Sequence, residues 1–217
     1  MPPLFYPKHN GDIKRMSRVM IGLALGGLLA GAAFGALALR TTSTTNDGHT
    51  AVVSGKALVG GPFSLIDQTG KRVTDQDFRG KDMLVFFGFT HCPDICPAGL
   101  QVMSAALEKL GKRADDIVPL FITLDPERDT PEKMAEYVKN FSPRLVGLTG
   151  SAGDIAAAAK AYRVFYQKVP DEKDPKNYSV DHSAIFYLMG KDGSLLAPIP
   201  HTNDPAQLAQ SIDKALG

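Results

Sequence analysis

The chain has 217 residues, and its 24 basic and 23 acidic side chains leave a formal net charge of +1. Such a balance gives no overall field that would attract a polyanion, so we expect no nucleic-acid partner. The composition, with 44% hydrophobic and 22% charged residues, is that of an ordinary folded domain.

An uncharged segment rich in Leu, Ala and Gly runs from Val19 to Leu39. As a helix it would span about 31 Å, which is close to the thickness of a bilayer core. We predict a transmembrane anchor at residues 19–39 with residues 1–18 in the cytoplasm, because positive charges precede the apolar run. These charges are Lys8, Lys14, Arg15 and Arg18. A cleaved signal peptide is the alternative, with Ala36-Leu37-Ala38 as its cleavage pattern, but the apolar run exceeds the usual length of about 7–15 residues.

Polar residues follow the apolar segment. Residues 40–54 hold too few apolar positions for a core and are predicted to form a flexible tether. Residues 55–217 have the size of one domain and show no internal repeat. The predicted topology puts this domain across the membrane, in an exported compartment.

The first clear elements of the domain are a strand and a helix with the only two cysteines between them. Met83–Phe89 is a continuous apolar run, as expected of a strand buried on both faces. Pro97 suits a first helical turn. Apolar residues recur after it at helical spacing, namely Leu100, Met103, Leu107 and Leu110. Cys92 and Cys96 then lie near the amino end of the helix, where free backbone N–H groups and the helix dipole stabilise a thiolate. Such a pair favours either a soft metal or redox chemistry.

A second strand and two further helices follow. Ile117–Leu124 is predicted to be a strand, although Pro119 argues against its first residues lying mid-sheet. Thr130-Pro131 predicts a capped helix start. The apolar face of that helix is predicted to hold Met134, Tyr137, Val138 and Phe141. Another helix is predicted after Ser151, which has Asp154 three residues on.

The last elements are a hairpin and a helix. Ala184–Met189 is an apolar strand, Asp192-Gly193 a turn signal, and Leu195-Leu196 the predicted partner strand. Asn203–Pro205 starts the final helix. This order predicts an α/β fold in which a sheet with parallel strands carries an added antiparallel hairpin, with helices on both faces. Loops at the carboxyl ends of strands hold the chemistry in such sheets, and the cysteine segment falls at such an end.

Three segments of the domain resemble the motifs of one family. They are similar, in sequence, order and spacing, to the three motifs of the Sco/SenC family of copper proteins. The three segments are Phe89–Pro97, Asp125–Pro131 and Val180–Ser183. The resemblance covers nearly the whole domain and fits a single amino-terminal anchor. It implies a thioredoxin-like fold and a role in assembling the binuclear copper site of cytochrome c oxidase.

Carried over by position, the copper ligands of the family fall on Cys92, Cys96 and His182. Copper(I) favours thiolates and imidazole suits both copper states, so a Cys₂His set fits copper and leaves room for a fourth ligand or for transfer. We expect the two cysteines to share one helical face, and His182 to come from the loop before the Ala184–Met189 strand.

Three acidic positions near the motifs are weaker candidates. Asp181 is a candidate for orienting His182 or the copper electrostatically, and an exposed loop carboxylate is the alternative. The resemblance suggests that Asp125, together with Arg128 and Asp129, acts near the site or at a partner surface. An Asp-Pro turn with helix-entry charges is the alternative there.

Two further histidines are not expected to be ligands. His91 directly precedes Cys92, and adjacent side chains point apart. His201 would approach the site only if the fold brings its loop across.

The resemblance also implies partners and a location. The partners are the copper-site subunit of cytochrome c oxidase and a periplasmic copper donor or thiol reductant. The location is a bacterial-type inner membrane, crossed once, with the carboxyl-terminal domain in the periplasm.

Other functions remain open beside the copper-binding one. A structural disulfide across so short a loop would contribute only roughly 2 kcal/mol on the loop-closure model. A membrane-anchored thiol:disulfide oxidoreductase or peroxidase without metal is the main alternative. Its usual patterns are absent, since the spacing is CxxxC rather than CxxC and Phe89 stands where a peroxiredoxin pattern requires Thr. A zinc-binding or purely structural module is a further alternative, but the sequence offers no evident fourth ligand for a zinc site. Copper delivery and thiol exchange are not separated, because exported thiols must be reduced before they bind metal.

Overall fold

Residues 59–171, 174 and 177–217 are described in this computed structural model. The strands are β1 (Ser64–Asp67), β2 (Arg72–Thr74), β3 (Asp82–Gly88), β4 (Ile117–Thr123), β5 (Val146–Thr149), β6 (Tyr166–Pro170), β7 (Tyr178–His182), β8 (Ile185–Met189) and β9 (Leu195–Pro200). The α-helices are α1 (Ile95–Leu110), α2 (Pro131–Val138), α3 (Ala152–Ala161) and α4 (Pro205–Leu216). The predicted cytoplasmic segment, anchor and tether at residues 1–54 lie outside the described residues. Among the helices that are described, none combines the length and the apolar character needed to cross a bilayer.

Seven strands form one mixed sheet in the order β2-β1-β5-β4-β3-β8-β9. β4 pairs in parallel with β3 on one side and with β5 on the other. β8 and β9 form an antiparallel hairpin that continues the sheet beyond β3. The predicted parallel strands with an added hairpin are therefore confirmed. All residues of β3 are buried, so the cysteine segment that follows it starts from the interior of the sheet.

Helices cover both faces of the sheet, as predicted. Successive side chains of a strand point to opposite faces, so Phe86 and Phe87 mark the two sides. α1 packs over Phe86, whose ring lies 3.0 Å from where a Cβ on Gly99 would stand. On the other face, the ring centroid of Tyr162, directly after α3, lies 5.3 Å from that of Phe87.

Capping side chains start three of the helices at the predicted positions. Thr130, Ser151 and Asp204 each accept a hydrogen bond from a backbone N–H of the first turn. These bonds satisfy donors that a helix start leaves free. α2 ends at Val138, so Phe141, predicted on its apolar face, reaches the core from beyond the helix.

Pro119 belongs to β4, and the expectation that the first residues of this strand do not lie mid-sheet is confirmed. It pairs with Leu84 of β3, whereas β5 pairs with β4 only from Leu120 onward. The proline therefore stands where only one side of β4 is paired, a position at which a missing N–H is tolerated.

β6 and β7 form a separate two-stranded sheet that no sequence pattern predicts. Most of their residues are exposed or half-buried, so no continuous apolar run marks them. His182 is the last residue of β7, and β8 begins only at Ile185. The prediction that His182 belongs to a loop is therefore wrong, because this histidine ends a strand.

Candidate metal centre

The first turn of α1 holds Cys96, and the preceding loop holds Cys92. The helix begins at Ile95, and the side chain of its N-cap residue, Asp94, makes no capping hydrogen bond. Instead the backbone N–H of Cys96 points at the sulfur of Cys92, with a nitrogen–sulfur distance of 3.4 Å. The sulfur thus accepts from a donor that the helix start leaves free, which is an environment that stabilises a thiolate.

Cys96 is fully buried over the end of β3. A Cβ added to Gly88 would lie 2.7 Å from the sulfur of Cys96 and 2.9 Å from the ring of Phe121. Only a glycine at this position leaves room for the sulfur of Cys96 to pack against the end of β3. Gly88 is therefore part of the site, although it carries no ligand atom.

His182 approaches the same sulfur from β7. Its Nε2 lies 3.7 Å from the sulfur of Cys96, and its Nδ1 lies 3.1 Å from the carbonyl oxygen of Ser183. A carbonyl oxygen only accepts, so in the neutral ring Nδ1 carries the proton and Nε2 offers its lone pair. The ring of Phe89 meets the imidazole edge-on at a centroid distance of 6.1 Å.

The two thiols differ sharply in acidity. A hydrogen bond from Cys96, with help from backbone N–H groups and from His182, lowers the pKa of Cys92 to about 5 against the opposing effect of burial. The same hydrogen bond, burial and the charge of Asp129 raise the pKa of Cys96 far above its usual value. At neutral pH the pair is therefore one thiolate and one thiol.

These donors suit one small, soft metal ion. Sulfur at about 2.3 Å and nitrogen at about 2.0 Å from one metal ion lie roughly 3.5–3.7 Å apart at tetrahedral to trigonal angles. The separation between Cys96 and His182, 3.7 Å, matches that range. No group of three His, Cys, Asp or Glu side chains in the described residues is already arranged around a common point. Two donors are thus in place, and Cys92 adjoins them.

A buried carboxylate ties the segment after β4 to the cysteine loop. Asp129 is fully buried and accepts hydrogen bonds from the backbone N–H of Thr90 at 3.0 Å and from its hydroxyl at 2.5 Å. It also accepts from the hydroxyl of Thr123 at 2.5 Å. The carboxylate thereby fixes the backbone two residues before Cys92. Only the resemblance of its motif marked this residue in the sequence.

The other two acidic candidates lie apart from the ligand atoms. Asp125 is fully buried, where it accepts from the hydroxyl of Tyr178 at 2.8 Å and from the Nε of Arg128. Asp181 is exposed on the rim of the site, and its side chain makes no hydrogen bond or ion pair within the described part of the chain. The His182 ring is held by a backbone carbonyl and not by Asp181.

A cavity of about 430 Å³ beside the site is lined by a further histidine. Cys92, His182 and Ile95 line it together with His201, whose loop the fold does bring across. The His201 ring stacks on Phe186, and its buried Nε2 has no hydrogen-bond partner among the described residues. His91 is not among the residues that line this cavity.

The residues that the structure describes therefore form a thioredoxin-like α/β domain with a CxxxC pair beside a distant histidine. The SCO1/SenC family model matches residues 51–217. The chain therefore belongs to the SCO1/SenC family, as its three motifs indicate.

Individual relatives agree with this assignment. The human mitochondrial protein SCO1 homolog is 48% identical over 160 residues, which cover 73% of this chain and 53% of that protein. Bradyrhizobium japonicum ScoI, solved with copper bound, is 44% identical with a TM-score of 0.66, covering 72% of this chain and 99% of that one. Arabidopsis thaliana ScoI, also solved with copper bound, is 45% identical with a TM-score of 0.69, covering 73% and 98%. The matched part spans 48% to 61% of the length of four curated eukaryotic relatives.

Proposed function

We propose that this protein binds copper through Cys92, Cys96 and His182 and delivers it to the copper-site subunit of cytochrome c oxidase. The observation that carries the proposal is the contact of 3.7 Å between the sulfur of Cys96 and Nε2 of His182, two residues 86 positions apart. A buried thiol, a thiolate and an imidazole lone pair form a donor set that suits copper.

Copper is the cargo of this site, and the residues around it support loading and release. Cys92 offers a thiolate at neutral pH, so a metal ion can replace the proton that Cys96 shares with it. The cavity beside Cys92 and His182 leaves one side of the site open to a partner. The two relatives solved with copper bound support copper as the metal.

The proposal includes a location and partners. Residues 19–39 would anchor the protein in a bacterial-type inner membrane, residues 1–18 would lie in the cytoplasm, and residues 40–54 would tether the domain at 55–217 in the periplasm. There the domain would meet the exposed copper-site subunit and a copper donor or thiol reductant. The motivation is the charge pattern around the apolar segment.

Thiol–disulfide exchange on the client subunit is a second candidate, favoured by the low pKa of Cys92, about 5. The thiolate of Cys92 would attack a client disulfide, form a mixed disulfide and release one client thiolate. That step removes the charge on Cys92, which is one cause of the raised pKa of Cys96. Cys96 would then give its proton to the released client thiolate and attack the sulfur of Cys92, which expels the second client thiolate and leaves a reduced client and a Cys92–Cys96 disulfide.

Copper titration of the whole reduced chain in detergent tests the proposal. We expect one tightly bound copper ion per chain, with tight binding lost in Cys92→Ser and Cys96→Ser and weakened in His182→Ala. His91→Ala is the matched control, because this neighbouring histidine lies outside the ligand set. Unchanged affinity in both cysteine variants would refute the ligand assignment. Rapid exchange of the dithiol with a client disulfide, without tight copper binding, would favour the second candidate.

A further inference from the structure

The strand that carries His182 does not belong to the main sheet. β6 and β7 pair only with each other among the described strands, from Tyr166 opposite His182 to Pro170 opposite Tyr178. No ladder of hydrogen bonds to the seven-stranded sheet therefore fixes this hairpin. Apart from the two-residue link between His182 and β8, its position depends on side-chain packing and on contacts with neighbouring loops.

Tyr178, at the start of β7, makes the most elaborate of these contacts. Its hydroxyl donates to a carboxylate oxygen of the fully buried Asp125 at 2.8 Å. Its backbone carbonyl accepts from Nη1 of Arg128 at 3.0 Å, and the guanidinium carbon of Arg128 lies 3.8 Å from the centre of its ring. Arg128 also donates through Nε to Asp125, so the three side chains form one closed cluster.

A second contact joins the other strand of the hairpin to the same segment. Lys168 of β6 forms an ion pair with Glu127 at 2.6 Å, and its ammonium lies 4.5 Å from the centre of the Tyr178 ring. Both partners are largely exposed, so this pair contributes less than the buried cluster.

The segment Asp125–Asp129 contacts both the β6–β7 hairpin and the loop that holds Cys92. Asp125 and Arg128 hold Tyr178, and one residue further on Asp129 holds Thr90, two positions before Cys92. One short segment after β4 thus contacts both the hairpin that carries His182 and the loop that carries Cys92. No atom of Tyr178 or Arg128 needs to touch the metal for this to matter.

We propose that Asp125, Arg128 and Tyr178 form a latch that positions His182 against Cys96. The inference rests on the proposed ligand set. His182 stands four residues after Tyr178, roughly 13 Å away at the usual rise of a strand. A tilt of about 5° at the latched end would therefore move the imidazole by about 1 Å, whereas metal–ligand distances tolerate about 0.2 Å.

Two measurements with Tyr178→Phe test the latch. This substitution removes the hydrogen bond to Asp125 and keeps the ring that stacks on Arg128. Tyr166→Phe is the matched control, because it makes the same change on the same hairpin. Within the described residues the Tyr166 hydroxyl has no hydrogen-bond partner.

The first measurement is hydrogen exchange in the reduced, metal-free protein. We expect Tyr178→Phe to speed exchange of the β6 and β7 amides at least about threefold, with β3 and β4 unchanged. Tyr166→Phe should leave the hairpin amides as they are. Unchanged exchange in Tyr178→Phe would overturn the latch without any reference to copper.

The second measurement is a double-mutant cycle on copper(II) affinity. The loss caused by His182→Ala should be at least about threefold smaller in the Tyr178→Phe background than in the natural chain, because the histidine is already misplaced. Additive losses would overturn the positioning role even if exchange rises. If the natural chain binds no copper, the proposed function fails, and the exchange measurement alone decides on the latch.

Discussion

From the hydrogen bond between the two cysteines we predict how the reactivity of the Cys92 thiol depends on pH. This hydrogen bond is the largest cause that lowers the pKa of Cys92 from 9.0 to about 5. Thiolate increases as the pH rises through this value, so alkylation of Cys92 by iodoacetamide should be half-maximal near pH 5 and level from about pH 6. Cys96→Ala removes the thiol donor and should shift the midpoint upward, towards the value of an ordinary cysteine.

The change in the alkylation rate of Cys92 depends on two opposing quantities, the fraction of thiolate and the nucleophilicity of that thiolate. At pH 6 a full return of the pKa from about 5 to 9.0 would lower the thiolate fraction of Cys92 about 900-fold. The more basic thiolate is intrinsically about 60-fold more nucleophilic, on a Brønsted slope of about 0.45. The alkylation rate should therefore fall by at most about 15-fold, and by less because backbone N–H groups remain.

Mass spectrometry of the reduced, metal-free protein at a series of pH values measures this rate. Cys92→Ser is the control, since the buried Cys96 should then remain unmodified at pH 6. A midpoint near pH 9 in the natural chain, or one that Cys96→Ala leaves in place, would refute the reasoning.

Two further predictions concern residues that carry no ligand atom. Gly88→Ala should destabilise the domain by about 1–3 kcal/mol in urea unfolding, because the new methyl group would stand 2.7 Å from the sulfur of Cys96. Gly153→Ala, in an open position of α3, is its control, and an equal loss there would contradict the steric argument. Asp129→Asn should cost about 1–3 kcal/mol, since the buried carboxylate accepts from the backbone and the hydroxyl of Thr90. Protection of the Thr90 amide against hydrogen exchange should fall with it, and an unchanged amide would show that Asp129 does not hold the loop.

Much of the fold follows from local sequence signals. β3 is a long apolar run that is buried on both faces, and α3 starts at a capping box formed by Ser151 and Asp154. Short or exposed strands carry no such signal. β2 has three residues, and β6 and β7 are mostly exposed, so neither periodicity nor an apolar run marks them.

The residues of the site likewise include some that local sequence signals identify and others that only the tertiary structure brings together. The sequence predicts a thiolate at Cys92 from its place before a helix, whereas in the structure the largest cause of its low pKa is the hydrogen bond from Cys96. The meeting of Cys96 with His182 depends on how a separate hairpin is placed, and in the sequence only the family resemblance pointed to it. The positions of Asp129 and His201 depend on tertiary packing, because neither residue belongs to a local pattern that names its partner.

X-ray absorption at the copper edge of the copper(I)-loaded chain would measure the ligands of the metal themselves. The proposed ligand set requires two sulfur atoms at about 2.3 Å and one nitrogen at about 2.0 Å from the metal, with one sulfur lost in Cys96→Ser and the nitrogen lost in His182→Ala. A shell that keeps two sulfur atoms in Cys96→Ser, or that is unchanged in His182→Ala, would contradict it.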